Sequence, residues 1–466
     1  MNFEHPSSGP CNWKKSFLFL ALAVACFQGA YASTNFPAAG FLIIGYAYGL
    51  VRLTDQPTVR RAFYFGLATG FLCAAPQLFF FWTIFGPAAI VLWIVFAFWI
   101  GLFAAIVCGA VRRWGRANAM WLIPFIWTGI EYFRSELYYL RFSWLNIGYA
   151  LPPGFQRGGM YGVGFLIFAV LAAWLCRNRK SLFVLFGIVI LFAMLTLFPK
   201  AALQHAPLSI AGIEMEFPPA KILPDALSAT LRKNPNAEIF VLSENTLDGA
   251  PPDSLKNWCK KNSRYLVVGG KDVVTNQVYY NTAFVIGTNG DVVFKQAKSV
   301  PLQFFDDGLP APGQDVWDSP WGKIGLCICY DLSYTRVTDE LVRQGAQLLI
   351  VPTMDVAEWG RHEHELHARV APVRAAEYGI PIFRLASSGI SQAVDGSGRV
   401  IAHGYFDRIE GILSAKLQMP PRGSLPLDRV LAPLCTGVTA VVLGALLWLA
   451  WKDHRAIHPP PTTKSS

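Results

Sequence analysis

The sequence is short of charge. Only 15% of its 466 residues are Asp, Glu, Lys or Arg, against 53% hydrophobic, which argues against a disordered chain and fits a membrane protein better than a soluble one. The shortage is uneven. No charged residue occurs from Ser16 to Val51 or from Ala62 to Val111, and each run is long enough for two helices of about 20 residues. Other absences narrow the chemistry: there is no G-x-S-x-G stretch for a serine hydrolase and no phosphate-cradling glycine loop. His362, His364 and His367 in "RHEHELH" miss the H-E-x-x-H spacing by one residue, so they read as a solvated helix start and no metal is implied. The nine cysteines form no regular framework, five of them lie in apolar segments, and no disulfide scaffold is expected.

Hydrophobic runs stand where the charges are missing. Turn-forming residues divide the first run near "STNFPAAG" and the second near "FGPAA". A fifth apolar segment covers Met120 to Phe133, a sixth is "GGMYGVGFLIFAVLAAWLC", a seventh "SLFVLFGIVILFAMLTLFP", and an eighth lies between Arg429 and Lys452. Lys and Arg are retained on the cytoplasmic side. With Lys14 and Lys15 inside, the basic loops after spans two (Arg52, Arg60, Arg61), four (Arg112, Arg113, Arg116) and six (Arg177, Arg179, Lys180), and the end with Lys452 and Arg455, share that side. The net charge of +10 is then largely topology, and no nucleic-acid partner is implied. The segment from Lys200 to about Arg429 falls outside the cytoplasm. Ala30-Tyr31-Ala32 also has the form of a signal-peptide cleavage site, whose use would remove one span without moving that segment. The expected organisation is a membrane domain with seven helices over residues 1–200, a catalytic domain over 201–426, and an eighth helix with a short cytoplasmic tail over 427–466. The last residues, "HPPPTTKSS", read as disordered.

Between the seventh and eighth spans the texture changes. "EIFVLSE", "YLVVGG", "TAFVIG", "DVVFKQ", "KIGLCICYD", "QLLIVPT" and "IPIFRLA" are short apolar runs rich in Val, Ile and Phe, the pattern of strands. Asn289-Gly290 between two of them predicts a hairpin. "RVTDELVRQGA" and "HEHELHARVAPVRAAEYG" read as helices, each with a glycine near its end. Together they predict a mixed α/β domain of about 230 residues.

Three reactive groups sit where these strands meet loops: Glu244, Lys298 and Cys329. A carboxylate, an ammonium and a thiol suffice for acyl transfer, as base, oxyanion donor and nucleophile. A lone cysteine is more often structural, but the matching contexts of Glu244 and Lys298 reverse that weighting. Cys329 abuts Tyr330 and Asp331 where the strand should end, whereas Cys327 reads as core. Outside this segment, Glu131, Arg134, Glu136 and Arg141 either pair with one another or meet lipid head groups.

Glu, then Lys, then Cys-Tyr-acidic in this order resembles the nitrilase superfamily, and the resemblance implies an αββα sandwich with a Glu-Lys-Cys triad. Seven spans before such a domain and one after it, with "FSWLNIGYA" followed by "MYGVGF", are similar to the bacterial apolipoprotein N-acyltransferase family. The family's lysine is followed eight residues later by an acidic residue; counting from Lys298 gives Asp306, and from Lys295 gives Gln303, so Lys298 is chosen. The chain departs from the family pattern at Ser243, where proline is usual, in "VPLQFFD", and at Asp331, where glutamate is usual. The resemblance implies transfer of an acyl chain from a phospholipid to the N-terminal amine of a diacylglyceryl-cysteine lipoprotein in the bacterial cytoplasmic membrane, by a monomer without cofactor. Cys329 forms the thioester, Glu244 is the base, Lys298 and the backbone N–H of Tyr330 are oxyanion donors, and Asp306 and Asp331 position Lys298. The rival readings are a membrane-anchored amidase that resolves the acyl-enzyme with water, and a catalytically silent lipoprotein-binding scaffold.

Overall fold

Long apolar runs leave a helix as the only backbone form that satisfies its own hydrogen bonds without water, and helices occupy the first part of the chain in the computed structural model. The structure describes residues 13–32, 37–176, 207–275, 278–404 and 411–457, with positions 183, 187 and 190. Apart from those three positions, the expected seventh span lies outside the described residues, as does the proline-rich tail. The helices are α1 (Trp13–Ala32), α2 (Ile43–Leu53), α3 (Val59–Gln77), α4 (Phe80–Phe85), α5 (Ala89–Trp114), α6 (Arg116–Tyr132) and α7 (Met160–Cys176). The second apolar run breaks twice, after α3 at Leu78 and Phe79 and again at Gly86–Ala88, so the first interruption comes earlier than "FGPAA". Pro76 near the end of α3 and Pro87 between α4 and α5 account for the two breaks. Among the described residues, three helical stretches are long and apolar enough to cross a membrane: Trp13–Ala32, Phe80–Trp114 and Asp428–Ala456.

The second part is two six-stranded mixed sheets. In chain order its elements are β1 (Leu208–Glu214), α8 (Leu223–Lys233), β2 (Ile239–Leu242), α9 (Asp253–Asn262), β3 (Tyr265–Thr275), β4 (Val278–Ile286), β5 (Val292–Ala297), β6 (Val316–Ser319) and β7 (Gly322–Leu326). There follow α10 (Thr335–Arg343), β8 (Leu348–Thr353), α11 (Arg361–Ala368), α12 (Val370–Tyr378), β9 (Ile382–Ala386), β10 (Gln392–Val394), β11 (Val400–His403), β12 (Gly411–Leu417) and finally α13 (Asp428–Ile457). One sheet runs β12-β1-β2-β3-β4-β5 and the other β11-β10-β9-β8-β7-β6. In each, three central parallel strands are flanked by antiparallel ones. Alternation in β2 assigns its faces: Phe240 and Leu242 pack against Leu227 of α8 and Trp258 of α9, while Ile239 and Val241 join the large core of the molecule. The seven short runs read as strands all contribute to strands, and the Asn289-Gly290 hairpin joins β4 to β5 with Gly290 at φ 87°. The expected single helix "HEHELHARVAPVRAAEYG" is two, α11 and α12, with Pro372 in the first turn of the second.

Buried polar groups join the two parts. Asp428, at the start of α13, accepts the N–H groups of Tyr161 (2.9 Å) and Gly162 (3.3 Å), and Glu377 of α12 accepts that of Met160 at 2.7 Å. Three backbone donors at the start of α7 are thereby satisfied by carboxylates, which the helix dipole also favours there. Arg429 ties the carboxylates together, donating to Asp339, Asp428 and Glu377 at 2.7 to 3.0 Å. Of the charged residues left open above, Arg134 lies 3.9 Å from Glu131, while Glu136 accepts the N–H of Thr335 at 3.2 Å. The loop "FSWLN" reaches the same region, where Trp144 Nε1 donates to Ser333 Oγ at 2.9 Å.

Candidate active site

Glu244 follows β2, Lys298 follows β5 and Cys329 follows β7, so the two sheets bring three strand ends to one buried point; Glu244 and Cys329 are 3% exposed and Lys298 is 0% exposed. Lys298 Nζ donates to Glu244 Oε1 at 2.8 Å and to Asp307 Oδ2 at 2.7 Å. Asn281 Nδ2, on β4, bridges the same two carboxylates at 2.7 Å each. The other oxygen of Glu244 accepts the N–H of Met354 at 2.8 Å, and Cys329 Sγ lies 3.8 Å from the carbonyl oxygen of the same residue. The backbone of one residue, Met354, therefore touches both Glu244 and Cys329. Gly269 on β3 makes the approach behind Glu244 possible: a Cβ there would lie 2.5 Å from Glu244 Cα and 2.7 Å from Ser243 O.

The expected role of Asp306 needs correction. Its side chain is exposed, and Tyr279 reaches only its backbone oxygen. The carboxylate on Lys298 belongs to Asp307, the next residue, whose other contacts include the N–H of Leu302 at 2.7 Å. Counting positions misses by one because the loop between Lys298 and Gly308 is not a strand, and Phe304 at φ 72° turns it. Asp331 does not pair with Lys298 directly. It accepts the N–H groups of Ser299 (3.1 Å), Val300 (2.7 Å) and Ile328 (3.2 Å), fixing the backbone on both sides of the site. The strand before Cys329 also stops earlier than expected, at Leu326, because Cys329 sits in a tight turn at φ 51°. Tyr330 follows in that turn, its hydroxyl donating to the Arg141 carbonyl at 3.2 Å. Cys327 is fully buried.

Burial governs the protonation states. It raises the Cys329 thiol well above its ordinary value, Glu244 adds to the rise, and Lys298 opposes it. Burial likewise raises Glu244 against the pull of Lys298. For Lys298 burial alone would lower the ammonium, but Glu244 and Asp307 hold it well above its ordinary range. The resting site thus holds a neutral thiol beside a carboxylate fixed by an ammonium. Such an arrangement can pass the thiol proton to Glu244 as sulfur attacks a carbonyl, with Lys298 facing the developing charge.

A cavity of about 140 Å³ adjoins Cys329 and runs between the two parts of the chain. Its aromatic wall includes Phe80 and Phe85 from α4 and Trp144, Phe304 and Phe305 from loops. Phe85 touches both Phe304 and Phe305, with ring centroids 5.9 and 5.8 Å apart.

Beside the thiol lies a second polar cluster. His364 and His367 are 0% and 2% exposed, so the reading of this segment as a solvated helix start does not hold. The segment is buried because Trp144 stacks on His367 at 4.6 Å, Asp355 pairs with His367, and His362 reaches Gln77 of α3 at 2.8 Å. Two groups in it have metal-ligand chemistry, Cys329 with Asp355 and His367, and Asp355 with Glu363 and His364; the ligand atoms in each lie within 4.8 Å of one another. Asp355 is common to both, and Arg384 Nη2 approaches its Oδ2 at 2.6 Å and His367 Nδ1 at 2.9 Å. The guanidinium fills the role a cation would have, and the cluster fits an internal ion pair better than a metal site. Asn281, Asp307 and His367 were not singled out as functional from sequence; only the proximity of Asp307 to the expected position was a usable signal.

Comparison with known proteins finds two family matches along the chain. Residues 21–175 match the apolipoprotein N-acyltransferase N-terminal domain, and residues 206–426 match the carbon-nitrogen hydrolase family. The chain is 24% identical over 477 aligned residues to the apolipoprotein N-acyltransferase of Shewanella oneidensis, covering 86% of this chain and 90% of that protein. It is also 24% identical to the Geobacter metallireducens protein of that name, covering 81% and 85%. The deaminated glutathione amidase of Dictyostelium discoideum is 30% identical over 34% of this chain and 61% of its own length. Matched in both parts, and with the nitrilase-type two-sheet domain between its apolar helices, the chain belongs to the apolipoprotein N-acyltransferase family of the nitrilase superfamily.

Proposed function

We propose that this protein moves a fatty acyl chain from a membrane phospholipid to the N-terminal amine of a diacylglyceryl-cysteine lipoprotein, by way of a thioester on Cys329. The observation that carries the reading is the cavity: the buried thiol, beside Glu244 and Lys298, adjoins an aromatic slot walled partly by the helices of the apolar half. An acyl chain suits such a wall, and a thioester kept from water survives until an amine arrives.

In the first half-reaction Glu244 takes the Cys329 proton, sulfur attacks the phospholipid ester, and Lys298 with the backbone N–H of Tyr330 stabilises the oxyanion. Collapse expels the lysophospholipid alkoxide, which receives the proton from Glu244. In the second half the acceptor amine attacks the thioester and Cys329 leaves, giving ping-pong kinetics. Asp307 and Asn281 hold Lys298 and Glu244, and Asp331 holds the adjoining backbone. The membrane domain has about eight spans, residues 201–426 form the catalytic domain on the outer face of the bacterial cytoplasmic membrane, and the protein acts as a monomer.

The test is intact-protein mass spectrometry of wild type and Cys329→Ala after incubation with phospholipid alone. An acyl-sized, hydroxylamine-labile increment is expected only in wild type, and it should vanish when a diacylglyceryl peptide is added. An increment lost equally fast without the peptide would replace the transferase by a hydrolase that uses water. No increment at all would remove the phospholipid as donor.

A further inference from the structure

Proton balance in the acyl transfer proposed above is uneven between its two halves. In the first half the thiol proton ends on the departing alkoxide, and nothing is left over. In the second an ammonium becomes an amide nitrogen, losing two protons. One returns to the Cys329 sulfur through Glu244; the other needs a different carrier. Glu244 cannot hold both, and its oxygens already accept from Lys298, Asn281 and Met354.

We infer that His367 is that second carrier, a catalytic residue that removes the first proton from the acceptor ammonium before it attacks the Cys329 thioester. Its position fits the task. A nitrogen of His367, an oxygen of Asp355 and Cys329 Sγ lie within 4.8 Å of one another, and His367 lines the same cavity as the thiol. Nδ1 is 2.8 Å from Asp355 Oδ1, while Arg384 Nη2 donates to the other oxygen of that carboxylate at 2.6 Å. Nδ1 therefore faces an acceptor, Asp355, and at 2.9 Å a donor, Arg384 Nη2. With Arg384 held by the other carboxylate oxygen, we assign the hydrogen to Nδ1, given to Asp355, which leaves the lone pair on Nε2. That Nε2 is buried and has no hydrogen-bond partner among the described residues. A buried polar atom without a partner costs free energy unless something arrives to use it. Stacking on Trp144, with rings inclined by 18°, fixes the imidazole plane.

The charged and titratable groups facing the ring are Asp355, Arg384, Glu363 at 4.0 Å, His364 and Cys329. Burial first, and Arg384 after it, keep the imidazole neutral in the resting protein, so the lone pair is available when the acceptor enters. Asp355 then stabilises the imidazolium until its proton passes out with the product. The balance is one ammonium and one thioester giving one amide, one thiol and one released proton.

The inference rests on the acyl-transfer reading, and single-turnover kinetics separate the two. The full-length protein in detergent is first charged with phospholipid and then mixed with a diacylglyceryl peptide. His367→Asn retains a donor toward Asp355, and His367→Gln retains more of the side chain's length; neither is a base. Both should form the thioester within about twofold of wild type, yet transfer to the peptide should slow by about tenfold at pH 7, the limit set by the roughly one-tenth of an α-amine of pKa about 8 that is already neutral there. The defect should shrink as pH rises and the peptide amine becomes neutral in solution. Cleavage by hydroxylamine, already neutral at pH 7, should match wild type. Thioester formation that falls with transfer in both variants would mark His367 as structural and overturn the inference, as would transfer at the wild-type rate. Failure of the wild type itself to form a thioester would overturn the acyl-transfer reading and the inference with it.

Discussion

Replacing Asp307 by Asn isolates the assignment of the acidic partner of Lys298. Asp307 receives three donors, Lys298 Nζ, Asn281 Nδ2 and Leu302 N, each at 2.7 Å. An amide offers one oxygen in place of two, so at least one donor would face an NH₂ group, and the buried ammonium would keep only Glu244 as counter-ion. Breaking one side of a buried charge network costs about 3–5 kcal/mol. For a domain of this size each kcal/mol is worth about 2–4 °C, which gives a loss of roughly 6–20 °C. Asp306→Asn changes an exposed side chain and should move stability by less than about 0.5 kcal/mol. Thermal denaturation of the three proteins in the same detergent, at one scan rate, measures both, and thioester formation on Cys329 should fail in Asp307→Asn alone. A larger shift for Asp306→Asn, or an unshifted Asp307→Asn, would refute the placement of Lys298 between two carboxylates.

Gly269→Ala should lower thioester formation by about 10²-fold, since its Cβ would press on the backbone of Ser243 and Glu244, which cannot swing aside; unchanged acylation would show that the base tolerates displacement. His367 has its ordinary value of 6.5 lowered to about 4 on folding, so the unfolded chain binds the proton first and stability contributed by the neutral ring, full above pH 6.5, is lost as pH falls through 4. The loss amounts to about 3 kcal/mol, and denaturation across that window should show a shallower slope in His367→Gln than in wild type. Asp428→Ala leaves the N–H groups of Tyr161 and Gly162 without their acceptor and Arg429 without one carboxylate, which should cost about 1–3 kcal/mol or more; a neutral result in thermal denaturation would show that water replaces the carboxylate.

The apolar runs and the strands with strong Val, Ile and Phe content were legible because burial on both faces demands unbroken hydrophobic sequence. The strands that escaped notice lack that texture. β1 carries Ser209, Ala211 and Gly212, β10 has only three residues, and β12 alternates as an outer strand. Glu244, Lys298 and Cys329 were found as strand ends with reactive side chains, and the fold brings those ends together. Asp307 was missed by one position because a loop imposes no period on its residues. Asn281 and His367 were missed for a different reason: each acts through a neighbour far away in sequence, on β4 and α11, and an asparagine or histidine alone carries no sign of that neighbour. Burial of the "RHEHELH" segment depends on Trp144 from the other half of the chain, which no local pattern announces.

Asp331 has a wider consequence than its hydrogen bonds suggest. Ser299 and Val300 lead away from one sheet and Ile328 from the other, so a single carboxylate stitches the two sheets at their shared rim. Sliding of one sheet over the other would pull the ammonium from the thiol in the same motion that broke the stitch. Mechanical alignment of the sandwich and the meeting of Lys298 with Cys329 are therefore one property, and a variant that loosens the seam cannot keep these side chains together on an otherwise relaxed fold.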